Sequence, residues 1–329
     1  MKISSYILLL ASALMLLSCE DSIDQARGRK IALSAAVREL GLEVRSADVY
    51  TGDTPLESKL LCSFESGEYL HEPGDLNIPC HTDITYLESG QTFVRYKGKD
   101  LVYPPSADQN VYFVGLYPAT DWGEDDGWKV NASGTSAIHP VDGTSDLMFA
   151  AEKYANWDSR EAPVLEYRHL LTWVRILASA NTIDAASQWG TIEKVTIKSS
   201  PDVTVSFPST VSYQEPTADI TVYEKSSGSE GMPISITTSE VGSVLISPQL
   251  SISVTVHTSL FPDGLTIPEI RLRNTSNHEI TEISEVEGNL FVLNLNFTPM
   301  SIVEGVCTLT YWQDLDEDIF LDPVEDEND

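Results

Sequence analysis

Beyond about residue 30 the chain is written in short runs of β-branched and aromatic residues separated by Gly, Pro, Asn, Asp or Ser, a punctuation that predicts strands. Ile31, Leu33, Ala35 and Val37 recur at period two, which places them on one face of an extended segment. Similar runs predict strands at 91–96, 111–117, 164–177, 191–197, 203–207, 220–223, 252–256, 269–273, 290–297 and 306–312. Helical periodicity is sparse; Asp184-Ala185-Ala186-Ser187 opens one short helix over 183–189. Polar, Gly-rich stretches at 122–143 and 224–231 are expected as exposed loops. Many short strands with regular turn signals make an all-β protein of the β-sandwich kind. At 329 residues the chain exceeds the usual single-domain size, so two domains are expected, with a boundary in 181–190.

The N-terminus changes the picture of where such a protein works. Lys2 precedes an apolar and small-residue stretch from Ile7 to Leu17, and Leu16-Leu17-Ser18-Cys19 is followed at once by Glu20, Asp21 and Asp24. A charged start, an apolar core too short to span a bilayer and small residues before a cysteine read as a secretory signal ending in a lipobox. Cys19 is therefore the expected lipidation site, and several acyl chains on one residue anchor durably. The net charge of −30 leaves no basic patch to neutralise phosphates and so excludes nucleic acid as a partner. With Cys19 set aside, Cys62, Cys80 and Cys307 remain; a Cys62–Cys80 disulfide is open in an oxidising compartment, but the odd count is not that of a disulfide scaffold.

Candidate chemistry is thin. Histidines at 71, 81, 139, 169, 257 and 278 show no metal-binding spacing, and His169 sits within a predicted strand as a structural histidine. The acidic run 314–325 matches an EF-hand loop at several ligand positions, but Ile319 stands where that loop needs glycine and Pro323 follows, so no metal is expected and the run reads as a solvated tail. No nucleophile elbow, phosphate loop or zinc-protease motif occurs, so neither an enzyme nor a cofactor is predicted. Trp122 and Trp128, among the carboxylates of 121–128, are the best support for a sugar platform and hence for a surface glycan-binding lipoprotein; both can equally pack against the domain's own edge.

Three ordered motifs, Val111-Tyr112-Phe113-Val114-Gly115-Leu116-Tyr117-Pro118, Ser145-Asp146-Leu147-Met148-Phe149-Ala150 and Leu165 to Ile176, together with a late strand at 290–297 and a last strand reaching Trp312, resemble fimbrillin-like proteins, the subunits of type V pili. The resemblance implies two tandem transthyretin-like Greek-key β-sandwich domains. It also implies assembly by strand exchange, in which an Arg-specific protease removes an N-terminal strand and the opened groove accepts a strand from a neighbouring subunit. Ile31, Leu33, Ala35 and Val37 have the alternation of the removable strand, Val44-Arg45-Ser46-Ala47 resembles the cleavage site, and Arg38 is the fallback. The candidate donor strand carries Val306, Leu309, Tyr311 and Trp312, with 290–297 as the second choice. The expected layout is a signal at 1–18, a lipidated segment at 19–45, sandwiches at 46–182 and 183–313, and an acidic tail at 314–329. Expected partners are other pilus subunits in a homo- or hetero-polymer and a membrane through the lipid, with a host or bacterial surface ligand left open. The expected location is the outer membrane, cell surface and fimbrium, and an uncleaved subunit would serve instead as the membrane anchor.

Overall fold

The computed structural model describes residues 31–37, 56–69, 81–87, 94–96, 101–119, 127–299 and 303–309. In chain order the strands begin with β1 (Ser34–Val37), β2 (Leu56–Ser63), β3 (His81–Leu87), β4 (Val94–Tyr96) and β5 (Val111–Tyr117). They continue with β6 (Lys129–Val130), β7 (Ser136–Pro140), β8 (Met148–Ala155), β9 (Val164–His169) and β10 (Thr172–Ala180). After the helix α1 (Ile183–Trp189) come β11 (Thr191–Ser199), β12 (Asp202–Ser206), β13 (Thr210–Tyr213), β14 (Ala218–Glu224) and β15 (Met232–Pro233). The last are β16 (Ser239–Ile246), β17 (Ser251–Thr258), β18 (Phe261–Arg273), β19 (Leu290–Phe297) and β20 (Val303–Leu309).

Three sheets result. The first runs β1-β9-β8-β5-β2-β3-β4, and the second runs β14-β11-β17-β18-β20-β19-β10-β16 with β15 beside β11. The third, β13-β12-β7-β6, takes two strands from each half of the chain. In the second sheet Ile252, Val254 and Val256 of β17 alternate inward and meet Ile176, Ile197, Leu293, Leu295 and Phe297 in one core, as strands half-buried at period two must. The sheet curls until its end strands approach: at Gly242 of β16 a Cβ would lie 2.9 Å from the Val222 carbonyl oxygen of β14, so glycine permits the near closure. Cys307 is a free thiol fully enclosed in this core, and burial pushes its pKa up.

Several expectations are met closely, and others need correction. The strands at 111–117 and 290–297 and the helix at 183–189 stand where the pattern put them. The helix is capped by Thr182, whose side chain accepts a hydrogen bond from the Ala185 amide at 3.1 Å. The single strand expected over 164–177 is instead two, because Leu170 and Leu171 turn the chain from the first sheet into the second. Both leucines are buried in the core between the sheets, and the turn carries none of the Gly or Pro signals that mark a loop. Sheet membership therefore changes between His169 and Thr172. The exposed loop expected at 122–143 is also corrected within its described part. Residues 129–130 and 136–140 form β6 and β7, and Trp128, Ala137, His139 and Val141 are buried because β7 pairs with β12 across the two halves.

A turn that joins the halves is fixed by one carboxylate. Asp142 Oδ1 accepts from the Thr144 and Ser145 amides, each at 2.7 Å, and Oδ2 accepts from the Ser145 hydroxyl at 2.6 Å. Next to it the Gly143 carbonyl accepts from Leu245 of β16. Burial alone would raise the Asp142 pKa, but the hydrogen bonds from Ser145 and Thr144 outweigh it and hold the carboxyl below its usual value. A depressed folded-state pKa gives stability that is present above the unfolded pKa and lost as pH falls through the folded one. Asp142→Ala is expected to cost about 1–2 kcal/mol near pH 7. That cost should shrink in acid below the ordinary carboxylate range, as read by urea denaturation at a series of pH values; a penalty independent of pH would show that the carboxylate is not what matters.

Candidate assembly interface

The first sheet has a concave face filled by one apolar core. Leu56, Leu60 and Cys62 of β2, Val111 and Phe113 of β5, Met148 and Ala150 of β8, and Leu165 and Tyr167 of β9 contribute to it. Leu101 and Tyr103 follow β4 in sequence and close part of its rim. The N-terminal segment closes the rest: Ile31, Leu33 and Ala35 are 3%, 2% and 2% exposed, whereas Ala32 between them faces solvent. For Ile31, Leu33 and Ala35 the face read from the sequence is thus the core face, while the Val37 side chain lies outside the described ones.

Backbone geometry makes this segment an edge plug. β1 runs parallel to β9, with Ser34 opposite Val164, Ala35 opposite Leu165, Ala36 opposite Glu166 and Val37 opposite Tyr167. The Ile31 amide donates to the Leu101 carbonyl at 2.8 Å and the Ser34 amide to the Pro163 carbonyl at 3.0 Å, so the plug is stitched to both lips of the cleft it fills. It is the terminal strand of the sheet. Among the described strands its departure would break pairing with β9 alone, together with the Ile31–Leu101 bond, and would leave an apolar groove beside an unpaired edge.

The groove floor is set by a tyrosine whose role the sequence reading missed. The Tyr167 ring reaches from β9 across Ala150 of β8 to β5 and β2, where its hydroxyl lies 2.7 Å from the Ser58 hydroxyl in a buried hydrogen bond. Beneath it sits Gly115: a Cβ there would collide with the Tyr167 hydroxyl and lie 2.8 Å from its Cε1. Three small residues, Ser58, Gly115 and Ala150, therefore make the bed of one large ring. A glycine in the middle of the otherwise apolar strand 111–117 was the available signal, since strand glycines mark close approaches.

The candidate donor strand is less free. β20 lies inside the second sheet, paired antiparallel with β19 from Phe291–Leu309 to Phe297–Val303, and parallel with β18 at Leu272–Cys307 and Arg273–Thr308. Val306 points out and is 53% exposed, while Val303 and Cys307 face the core. Leu309 pairs through its backbone with Phe291. The alternative, β19, is a central strand between β20 and β10, and Val292 is buried along with Phe291 and Leu293. Cys19, Arg38, Arg45, Cys80, Tyr311, Trp312 and the acidic tail lie outside the described residues, as does Trp122.

The remaining candidates resolve as structure. His169 Nδ1 lies 2.7 Å from Asp146 Oδ2, with the side chains 8% and 1% exposed, so the imidazole is held by a buried carboxylate. Trp128 is buried; its indole N–H donates to the Tyr117 carbonyl at 3.0 Å and its ring meets His139 edge-on, which removes it as a sugar platform. Among the described residues no group of three or more His, Cys, Asp or Glu could hold a metal ion, and no helix is long and apolar enough to cross a membrane.

The model of the family described as fimbrillin-like matches residues 77–312, which include the three ordered motifs, the strand at 290–297 and the last strand reaching Trp312. The chain belongs to the fimbrillin-like family. A candidate cell adhesion protein of Bacteroides uniformis superposes with a TM-score of 0.50 at 13% identity, covering 86% of this chain and 99% of that one, and so shares the fold of this fimbrillin-like protein. Two structures from Bacteroides thetaiotaomicron are similar to lesser degrees. One, a candidate polysaccharide-binding protein, has a TM-score of 0.49 at 7% identity over 86% of this chain and 96% of that one. The other, a candidate adhesin, has 0.48 at 11% over 87% and 97%. No curated protein matches this fimbrillin-like chain in sequence. Membership of the family points to a structural or adhesive protein of the pilus type and away from an enzyme.

Proposed function

We propose that the protein is a subunit of a cell-surface pilus, exported as a lipoprotein through Cys19 and assembled by strand complementation once the segment ending at Arg45 is removed. The observation that carries this reading is the placement of Ile31–Val37: a short edge strand that buries Ile31, Leu33 and Ala35, and that pairs with β9 and with no other strand among the described residues, fills an apolar cleft in the first sheet. Burying a large aliphatic side chain is worth ~1.5–3 kcal/mol, so loss of Ile31 and Leu33 alone leaves a deficit of several kcal/mol that an incoming strand makes good. Family membership supports the pilus, and the lipobox supports export and an outer-membrane, cell-surface location. The two sandwiches are divided at 182/183 in this reading, although the chain changes sheet earlier, at Leu170–Leu171, so that β10 belongs to the second sheet while lying before that boundary. A subunit left uncut keeps both its plug and its lipid, and would anchor the fibre. Arg38 follows the plug directly and is the second choice for the cut.

The test uses soluble protein beginning at Glu20, treated with a low dose of trypsin. The new N-terminus is read by mass spectrometry, and products by SDS gel without boiling and by electron microscopy. Cleavage after Arg45 with detergent-resistant ladders or filaments is the expected result, and Arg45→Ala should delay it. A clipped chain that sheds Ile31–Val37 and stays monomeric at high concentration sinks the proposal.

A further inference from the structure

We infer that the α1 end of the second sheet is a self-association surface, where two copies of the chain meet apolar end to apolar end as a two-fold pair. This surface lies apart from β9 and its groove. Strand directions gather it: β10 ends and β11 begins around α1, β14 leads through β15 to β16, and β17 turns into β18, all at the same end of the sheet. Contacts tie these connections together. The Ala180 amide donates to the Ser235 carbonyl at 2.7 Å, and the Ser259 amide to the Thr191 carbonyl at 2.9 Å. The Trp189 ring, closing α1, lies 4.6 Å from that of Phe261.

On this scaffold Ile183, Ile236, Leu260 and Phe261 are each between 44% and 70% exposed. A single exposed aliphatic residue means little, but four large ones from three connections at one end of a sheet form the kind of patch that marks a contact surface. Its charge identifies the partner. The chain carries 50 Asp and Glu against 20 Lys and Arg, yet residues 181–190, 225–238 and 259–260 hold only Asp184, Lys225 and Glu230, and Lys225 is paired with Glu193. A basic or neutral partner has no need of a surface cleared of carboxylates. A partner as acidic as the chain itself does, because like charges brought together oppose contact everywhere else. The exposed apolar residues of the first sheet offer no such surface: Tyr154 follows Glu152 and Lys153, and Phe64 precedes Glu65. Like therefore meets like, and a two-fold contact of that kind closes on itself, giving pairs and not chains.

The test uses the soluble, uncut chain beginning at Glu20, kept reduced, with its plug in place so that strand exchange contributes nothing. Sedimentation equilibrium should find monomer and dimer and nothing larger, with the dimer favoured as salt is raised, since salt screens repulsion between like-charged copies and leaves apolar contact intact. Ile236→Asp and Leu260→Asp, on different connections, should each weaken the dimer at least tenfold. Tyr154→Asp adds the same charge at a similarly exposed residue of the first sheet and should leave it unchanged. A chain that stays monomeric at high concentration and high salt overturns the pairing. So does a dimer that salt dissolves, one that Tyr154→Asp weakens as much as the other two variants, or a series of larger species. None of these outcomes involves β9 or a cut at Arg45, so the pairing and strand complementation stand or fall separately.

Discussion

Gly115→Val should be the most damaging single substitution in the first sheet, lowering stability by more than about 3 kcal/mol or preventing folding altogether. Inserting one or two methyl groups into a packed core ordinarily costs about 1–3 kcal/mol through displaced rotamers. Here the displaced group is the Tyr167 ring, anchored at its far end by Ser58, so strain is joined by the loss of a buried hydrogen bond. The measurement is guanidinium denaturation followed by fluorescence, with Gly115→Ala as a milder comparison and Tyr167→Leu, Gly115→Ala as the compensating pair. If the ring is the obstacle, the double variant loses less than the sum of its parts; strict additivity would move the cause elsewhere.

The second large effect concerns the two halves together. A fragment ending at Leu171 is expected to express as an unfolded or aggregated chain, and the full protein to unfold in one transition seen alike by far-ultraviolet circular dichroism and tryptophan fluorescence. β7 in such a fragment loses its partner β12, and the core beneath the first sheet loses Trp173, Val203, Val205, Phe207, Leu245 and Leu290, all supplied by the other half. At ~1.5–3 kcal/mol for each large apolar side chain, the loss is on the order of 10 kcal/mol, which matches the whole stability of an ordinary domain. Arg168 to Glu287 and the Tyr213 hydroxyl to the Leu170 carbonyl add polar contacts across the same junction. A fragment that unfolds sigmoidally, or two well-separated transitions in the full chain, would show that the halves are independent after all.

What the sequence reveals, and where it falls silent, follows from the range of the interactions. The strands at 111–117 and 290–297, the helix at 183–189 and the buried face of Ile31, Leu33 and Ala35 are legible because period and capping are local properties, visible within a dozen residues. β2 escapes notice because Leu56–Ser63 is buried on both faces, so that Leu60, Leu61 and Cys62 form an unbroken run around Lys59 instead of an alternation. β6 and β7 look like loop because β7 takes its outer partner, β12, from the other half and β6 has only β7 beside it, and no local pattern announces a pairing that distant. Gly115, Ala150 and Tyr167 stand in the motifs as letters and Ser58 in none of them, and the fact that four strands bring these residues to one place belongs to the topology alone. The candidate cleavage and lipidation residues, by contrast, rest on short motifs that are read without reference to the fold.

The turn at Leu170–Leu171 has a mechanical meaning. It ties β9, which borders the plug, directly to β10, and β10 runs parallel to β19 through eight residue pairs from Trp173–Leu290 to Ala180–Phe297. β19 continues from its far end towards β20. A pull entering through β9 and leaving beyond Phe297 therefore grips the two strands at opposite ends, so the hydrogen bonds between them resist in parallel, as in a lap joint, and do not open one after another like a zip.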